Sequence, residues 1–330
     1  MLDINDFFHL PPVDDLIDQL VTDGPGLVIV AGFDPPAALT QETILPSGKS
    51  GLLRILMQQM LSAKPHSRGI VVAPDQNSAH IPRNLLRSID VITPRADEDK
   101  VQCIARAVLR RPELLVIDSL TPQVTTAALT AAAQGLRVLA PMDTALRGAD
   151  LAQHLLRWGA PLEQLAALTW IVSVQRIPTL CPTCRRVDML DESRINTYRT
   201  HLSEFDPQLG YYIAQGGTEC NGTGHQGDVS VFDFFRAAQP APAMFNTASL
   251  LTAGQYAYGL AAKGYLSLDD ALHVATGQLG RLQQLLEASQ QAYAENYHAL
   301  RLKLFELETS NRVLQQRTEA LISLERLGSD

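Results

Sequence analysis

The run Ser-Gly-Lys-Ser at residues 47–50 has the residue types best suited to binding a phosphate group. It follows an apolar run at 26–32, typical of a buried strand, and directly precedes a helical pattern that begins at Leu52. In this setting the backbone N–H groups around Ser47 and Gly48 and the helix N-terminus can cradle phosphates. Lys49 would neutralise their charge, and Ser50 would offer its hydroxyl to Mg²⁺. We therefore expect a phosphate-binding loop for ATP and Mg²⁺.

Three features depart from the usual phosphate-loop pattern. Thr43 stands where a glycine is expected, five residues before Gly48. Pro46 occupies a place where glycine is common, and it removes one backbone donor. About ten extra residues separate the end of the strand from the start of the loop. The pattern indicates a phosphate-loop origin and leaves open whether nucleotide binding has been retained.

Asp118 is the second candidate residue, because it follows the apolar run Leu-Leu-Val-Ile at 114–117. A carboxylate at the end of a parallel strand can reach a loop-bound Mg²⁺ through water, as a Walker-B residue does. An aspartate after a strand is also common as a turn or helix-capping residue. The distinction depends on whether Asp118 pairs with the loop at 47–50.

Three cysteines have spacing typical of a metal site. Cys181 and Cys184 form a Cys-x₂-Cys pair, and Cys220 begins the run Cys-Asn-Gly-Thr-Gly-His. Two such pairs would close a tetrahedral zinc site, but Gly217 stands where the second pair should begin. We therefore predict Cys181, Cys184 and Cys220 as candidate zinc ligands. The alternatives are that His225 supplies a fourth ligand or that the knuckle persists without metal.

The elements that position these residues alternate between strands and helices, which predicts a doubly wound α/β domain over about 24–178. Short apolar runs of the buried type indicate the strands, and stretches of about ten residues with helical periodicity indicate the helices. The predicted strands are 26–32, 69–73, 90–93, 114–117, 138–140 and 168–174, and the predicted helices are 52–61, 98–110, 123–134 and 148–158.

The last fifty residues carry a heptad pattern. Leu or Tyr recurs every seventh residue from Leu279 to Leu321, and mixed, partly polar residues occupy the positions four residues later. Asn311 at one of those positions favours a two-stranded parallel coil. We expect self-association through a coiled coil; the alternative is a long helix that packs on its own domain.

Composition narrows the class of protein. The 330 residues contain 27 Lys and Arg against 35 Asp and Glu, a net charge of −8 that disfavours nucleic acid as a partner. No leader pattern and no apolar run of about 20 residues is present, so the sequence predicts a cytoplasmic protein. Four cysteines in so long a chain exclude a disulfide-framework domain.

In this order, the motifs resemble the motor ATPase family of type II secretion and type IV pilus assembly. The most specific part is Gln-Arg at 175–176 before Leu-Cys-Pro-Thr-Cys at 180–184, followed by Glu-Cys-Asn-Gly-Thr-Gly-His at 219–225. The other matches are the strand at 26–32, the loop at 47–50, the segments Ala-Arg-Ala-Val-Leu-Arg at 105–110 and Pro-Glu-Leu-Leu-Val-Ile-Asp at 112–118, and Gly-Leu-Arg-Val-Leu at 135–139. The resemblance spans about residues 10–277.

The resemblance implies a RecA-like P-loop core that assembles into a ring, usually of six subunits. ATP hydrolysis then drives pilin polymerisation or retraction at an inner-membrane platform. The expected partners are copies of this chain, as a ring or a coiled-coil dimer, and platform proteins at the cytoplasmic face of the inner membrane. Ser47, Gly48, Lys49 and Ser50 match the nucleotide loop, and Asp118 falls where the family has its Walker-B glutamate. The family's separate N-terminal domain has no counterpart here.

Two departures bear on catalysis. Asp75 keeps only one carboxylate of the family's Glu-Asp pair, and Asp143 replaces the family's histidine. One hypothesis is a divergent ATPase with weak or no hydrolysis, in which Asp75 and Asp118 substitute for the usual carboxylates. The alternative is a catalytically silent paralogue that acts as an assembly module through its coiled coil. The predicted segments are a lead-in (1–23), the core (24–180), a degenerate zinc-knuckle insert (181–235), a small helical subdomain (236–277) and the coil (278–330).

Overall fold

The structure is a computed structural model, and it describes residues 12–34, 45–62, 67–75, 78–237 and 240–277, together with positions 10 and 303. The chain divides into two compact units, Met1–Gly280 and Arg281–Asp330. The predicted coiled coil over 278–330 lies outside the described residues, apart from Lys303. It stays a prediction.

The described part of the first unit is built on a central sheet of seven strands in the order β3-β2-β4-β5-β1-β6-β9. The last strand, β9, runs antiparallel to β6, and the other pairs are parallel. The strands are β1 (Gly26–Gly32), β2 (Gly69–Val72), β3 (Ile89–Ile92), β4 (Leu114–Ile117), β5 (Arg137–Asp143), β6 (Leu168–Leu180) and β9 (His225–Arg236), while β7 (Arg186–Val187) and β8 (Tyr212–Ile213) pair separately.

Eight described helices cover this sheet and the segment that follows it. They are α1 (Pro12–Thr22), α2 (Lys49–Ser62), α3 (Lys100–Val108), α4 (Pro122–Ala133), α5 (Gly148–Arg157), α6 (Glu192–His201), α7 (Ala253–Ala262) and α8 (Leu268–Ala275). Short 3₁₀ turns lie at Arg83–Leu85, Gln164–Ala167, Thr218–Cys220 and Ala241–Asn246. The predicted α/β fold with a mainly parallel sheet is confirmed.

The sheet has a buried layer on each face, which explains why its strands are continuous apolar runs. In β1, Val28 and Val30 join the layer that includes α1, α2, α7 and α8. Leu27, Ile29 and Ala31 point to the other layer, where the sheet packs on α3, α4 and α5. Burial on both faces fixes the C-terminal end of β1, where the predicted loop begins.

The observed β6 is longer than the sequence indicated. We expected it to end at Val174, because Gln175, Arg176 and Pro178 interrupt the apolar run. It continues to Leu180 because β9 pairs with it over almost its whole length, from Trp170↔Arg236 to Leu180↔His225. The predicted knuckle insert therefore shares its last residues with the central sheet. The described helices include none that is long and apolar enough to cross a membrane.

Candidate functional site

The predicted phosphate loop lies at the C-terminal end of β1, where α2 begins. Gly48 has a φ of +87°, a conformation that favours glycine, and its carbonyl accepts the N–H of Leu52 in the first helical turn. Gly32 allows the loop to approach, since a Cβ there would lie 2.5 Å from Ser47 Oγ. Lys49 is the first residue of α2 and Ser50 the second, so the fold brings the four predicted residues together.

Lys49 is fully engaged by oxygens of its own chain. Its Nζ lies 2.5 Å from Asp34 Oδ2, 3.0 Å from Asp143 Oδ1 and 3.1 Å from the carbonyl oxygen of Gly32. An ammonium group has three N–H donors, and here three acceptors face them. In this arrangement Lys49 has no donor left for a phosphate.

Asp34 stands in for the anion that such a loop is built to bind. Its Oδ1 accepts both the backbone N–H and the hydroxyl of Ser47 at 2.7 Å, while Oδ2 accepts from Lys49. Burial alone would raise the pKa of Asp34, but the hydrogen bonds from Lys49 and Ser47 outweigh it and hold that pKa below its ordinary value. The carboxylate therefore stays ionised and occupies the donors of Ser47 and Lys49 that the sequence assigns to phosphate.

Asp143 closes the same site from the neighbouring strand. It is the last residue of β5 and lies opposite Gly32 in the parallel pairing of β5 with β1. Besides contacting Lys49, its Oδ1 accepts the backbone N–H of Asp34 at 2.8 Å. We call Asp34, Lys49 and Asp143 the capped lysine cluster; one cation meets two carboxylates there.

The sequence indicates Asp143 as a replacement for the family's histidine, but Asp34 was not predicted. The available signal was its position two residues after the end of a buried strand, where side chains reach the functional edge of a parallel sheet.

The other two predicted carboxylates lie further along that edge. Asp118 follows β4 and forms an ion pair with Lys100, and Asp75 follows β2 and accepts the N–H and hydroxyl of Ser78. At about 4.8 Å per strand, β4 lies about 10 Å and β2 about 14 Å from β1. The catalytic assignment of Asp118 and Asp75 stays a prediction.

The three cysteines meet as expected. The Sγ atoms of Cys181, Cys184 and Cys220 all lie within 4.8 Å of one another, and those of Cys184 and Cys220 are 3.5 Å apart. The backbone N–H groups of Gly217 and Gly224 point at Cys220 Sγ from 3.3 and 3.2 Å. Such a group can hold a soft metal ion through thiolates. We call these three residues the cysteine cluster.

The thiol pKa values in the cysteine cluster differ. Burial raises the pKa of Cys220, but the hydrogen bonds from Cys184, Gly217 and Gly224 outweigh it and bring that pKa to about 7. Burial and the contacts with Cys220 and Cys181 raise the pKa of Cys184. Of Cys184 and Cys220, Cys220 is therefore the thiol that ionises more readily.

Among the described residues, no fourth ligand joins the three thiols to complete a tetrahedral metal site. A Cβ on Gly217 would lie 3.8 Å from Cys184 Sγ, so position 217 faces the cluster and carries no ligand atom. His225 is not part of the group, and its Nδ1 lies 2.9 Å from the carbonyl oxygen of Thr223. The donor set suits a metal ion but is one ligand short of the four that structural zinc takes.

Comparison with solved structures shows that the chain has the fold of known ATPases. The chain aligns with the ATPase DotB of Legionella pneumophila at a TM-score of 0.52 and 14% identity, over 82% of this chain and 64% of that one. The ATPase DotB of Yersinia pseudotuberculosis gives 0.51 and 14%, over 81% and 63%. The pilus retraction motor PilT with bound ADP gives 0.48 and 14%, over 81% and 65%.

These comparisons confirm the fold that the resemblance implied, a RecA-like α/β core shared with the DotB ATPases. The chain spans a little under two thirds of the length of these proteins. No protein-family model matches the chain, and no curated protein matches it in sequence.

Proposed function

We propose that the chain is a divergent member of the type II secretion and type IV pilus motor ATPase family that binds ATP weakly and hydrolyses it slowly or not at all. The observation that supports this proposal is the capped lysine cluster. Binding of ATP has to displace two carboxylates from Lys49, and their charge would otherwise repel the phosphates. Part of the binding free energy is therefore spent on opening the site.

Slow hydrolysis has a separate reason. Phosphoryl transfer to water relies on a carboxylate or equivalent group that positions the nucleophile. The two candidates, Asp75 and Asp118, are engaged by Ser78 and by Lys100. Losing a positioned base costs about 10² to 10⁴ in rate.

The test is equilibrium binding of a fluorescent ATP analogue with Mg²⁺, together with steady-state turnover. Lys49→Ala should lose about 2 to 4 kcal/mol of binding free energy, because it removes the cation and leaves both carboxylates in place. Lys263→Ala, at an exposed lysine after α7, is the matched control and should bind like the wild type.

Equal affinity in the wild type and Lys49→Ala would contradict binding through the loop. Turnover of about 1 s⁻¹ that disappears in Lys49→Ala would instead restore an ordinary motor ATPase.

Within the same proposal, the cysteine cluster binds zinc through three thiolates, with a fourth position left to solvent. The close approach of the three Sγ atoms supports the site, and Gly217 supports the incomplete ligand set. The chain would work in the cytoplasm as a homo-oligomer, at the inner-membrane platform of a secretion or pilus machine. The fold shared with the DotB ATPases is compatible with that setting.

A second candidate function is that of a catalytically silent assembly module acting through residues 278–330. The capped lysine cluster favours it too, because a site closed by its own carboxylates needs no nucleotide. Leu307→Lys should lower the average molecular mass of the assembly that the full-length protein forms in sedimentation equilibrium. The reason is that it places a charge in the predicted apolar interface of the coiled coil. Thr309→Lys, on the outer face of the same heptad, should leave the mass unchanged. An unchanged mass in both variants would argue against a coiled-coil contact.

A further inference from the structure

A cavity of 250 Å³ adjoins the phosphate loop without containing Lys49. The ends of β1 and β6, the segment 144–147 after β5, and α8 build its wall, and Phe33, Leu45 and Ser47 close it on the side of the loop. Neither Gly48 nor Lys49 is part of that wall. The cavity is therefore a separate space from the phosphate site of the loop.

Arg147 brings a positive charge into this cavity. Its guanidinium donates to the carbonyl oxygen of Val274 at 3.0 Å and to Gln175 Oε1 at 2.6 Å. None of the ion pairs among the described residues involves Arg147, although the buried Asp233 acts on it through its field. Two neutral acceptors leave three of the five guanidinium N–H groups for another partner.

Ser173 provides a second and independent sign of a ligand. This residue of β6 is 6% exposed and lines the cavity, and its hydroxyl has no hydrogen-bond partner in the described structure. A buried hydroxyl without a partner costs free energy, so such groups are rare unless a bound water, ion or ligand satisfies them.

The other charged groups of the wall already have hydrogen-bonding partners or lie at the rim, although Asp270 keeps its negative charge. Arg176 is paired with Asp228, and Asp270 accepts the hydroxyl and the backbone N–H of Ser267. His273 is exposed at the rim. The remaining donors, on Arg147 and Ser173, both suit an anion.

We propose that this cavity binds a small molecule carrying an oxyanion, with a phosphate or carboxylate group held by Arg147 and Ser173. One water molecule occupies about 30 Å³ in the liquid, so the cavity has the volume of about eight water molecules. That volume suits a small metabolite and not a whole nucleotide. Ser47 lines the cavity and also hydrogen-bonds Asp34. A ligand here therefore touches the residue that keeps the capped lysine cluster closed.

The experiment is calorimetric titration of the full chain with inorganic phosphate and, separately, with malonate and ADP. Phosphate or malonate should bind the wild type, and Arg147→Gln should weaken that binding about tenfold or more. Because Arg147 also ties α8 to β6, Ser173→Ala is the second variant. It breaks no hydrogen bond of the unliganded protein and should lower anion affinity severalfold without lowering the melting temperature.

One control and one comparison separate this proposal from nucleotide binding by the loop. Arg199→Gln, at an exposed arginine of α6, should bind both anions like the wild type, and Lys49→Ala tests whether anion binding depends on the loop. The proposal is overturned if neither anion binds the wild type, or if Lys49→Ala abolishes binding while Ser173→Ala does not. ADP binding that depends on Lys49 alone would support the proposed function and leave the cavity proposal to the phosphate and malonate results.

Discussion

The phosphate loop and the cysteine cluster are both incomplete versions of recognisable motifs, but they end in opposite states. In the loop, Asp34, Asp143 and the carbonyl oxygen of Gly32 together satisfy the three donors of Lys49. In the cysteine cluster, three thiols face a corner where Gly217 offers no ligand atom. One site is closed by its own chain, and the other is left open.

The difference lies in what the substituting residue contributes. Asp143, where the resembled family has histidine, brings a new charge that pairs with the lysine. Gly217, where a cysteine would complete the pattern, brings nothing. A lost ligand therefore leaves a site open to repair by a single residue, whereas an added partner must be removed before the site can bind anything else.

The largest expected effect is a gain in zinc affinity when the missing ligand of the cysteine cluster is restored. Gly217→Cys adds a fourth thiolate next to Cys184, and the backbone there is not in the left-handed region. The new Cβ would lie 3.0 Å from Cys184 Cβ, so the Cys184 side chain has to shift by a few tenths of an ångström. Structural zinc is worth about 10 to 16 kcal/mol for four ligands, so one ligand corresponds to roughly 3 kcal/mol, or about a 100-fold gain in zinc affinity. Competition with a chromophoric chelator measures it.

Gly210→Cys is the matched control, because it adds a thiol where no other group lies within 4 Å of the new Cβ. Equal zinc affinity in Gly217→Cys and Gly210→Cys would show that position 217 is not the missing corner.

A smaller effect is expected from opening the closed site. Asp143→Ala removes one carboxylate from Lys49, frees a donor and lowers the repulsion of phosphates, so nucleotide affinity should rise roughly tenfold. Asp150→Ala, at an exposed acid in the first turn of α5, removes the same charge elsewhere and should change little. Fluorescence titration with the ATP analogue compares them; a fall in affinity on Asp143→Ala would mean that the cap does not inhibit binding.

The smallest effect concerns the pH dependence of the stability that Asp34 contributes through the capped lysine cluster. The folded-state pKa of Asp34 lies below its ordinary value of 3.8, so its contribution to the free energy of unfolding is present above that value. The contribution is lost as the pH falls through the folded-state pKa. Asp34→Asn should therefore lower stability at pH 7 and make progressively less difference under acid conditions. Urea unfolding at several pH values measures the difference, and a gap that widens in acid would contradict the assignment.

Local patterns were sufficient to predict six of the seven strands of the central sheet, the loop and the cysteine cluster, but not β9. The run at 26–32 and the run at 114–117 coincide with β1 and β4 because each is buried on both faces, which the sequence displays directly. The cysteine spacing similarly placed three thiols together.

The closed state of the loop could not be predicted in the same way. It depends on Asp34 meeting Ser47 across an intervening segment and on the register of β5 against β1, which sets Asp143 opposite Gly32. Both are tertiary contacts without a local signature. The extension of β6 was missed for the same reason, since it depends on pairing with β9 some fifty residues later in the chain.

The long β6–β9 pair has a mechanical consequence. Ser173 lies in β6 beside the cavity, and Cys181 follows the last residue of β6, so the eight residue steps from Ser173 to Cys181 span about 26 Å at roughly 3.3 Å each. The antiparallel hydrogen bonds stiffen this strand pair. It extends from the central sheet and carries the cysteine cluster at its far end. The strand pair thus connects the cysteine cluster to Gln175, whose Oε1 accepts from Arg147 in the wall of the cavity. The cysteine cluster and the proposed anion cavity therefore share one pair of strands.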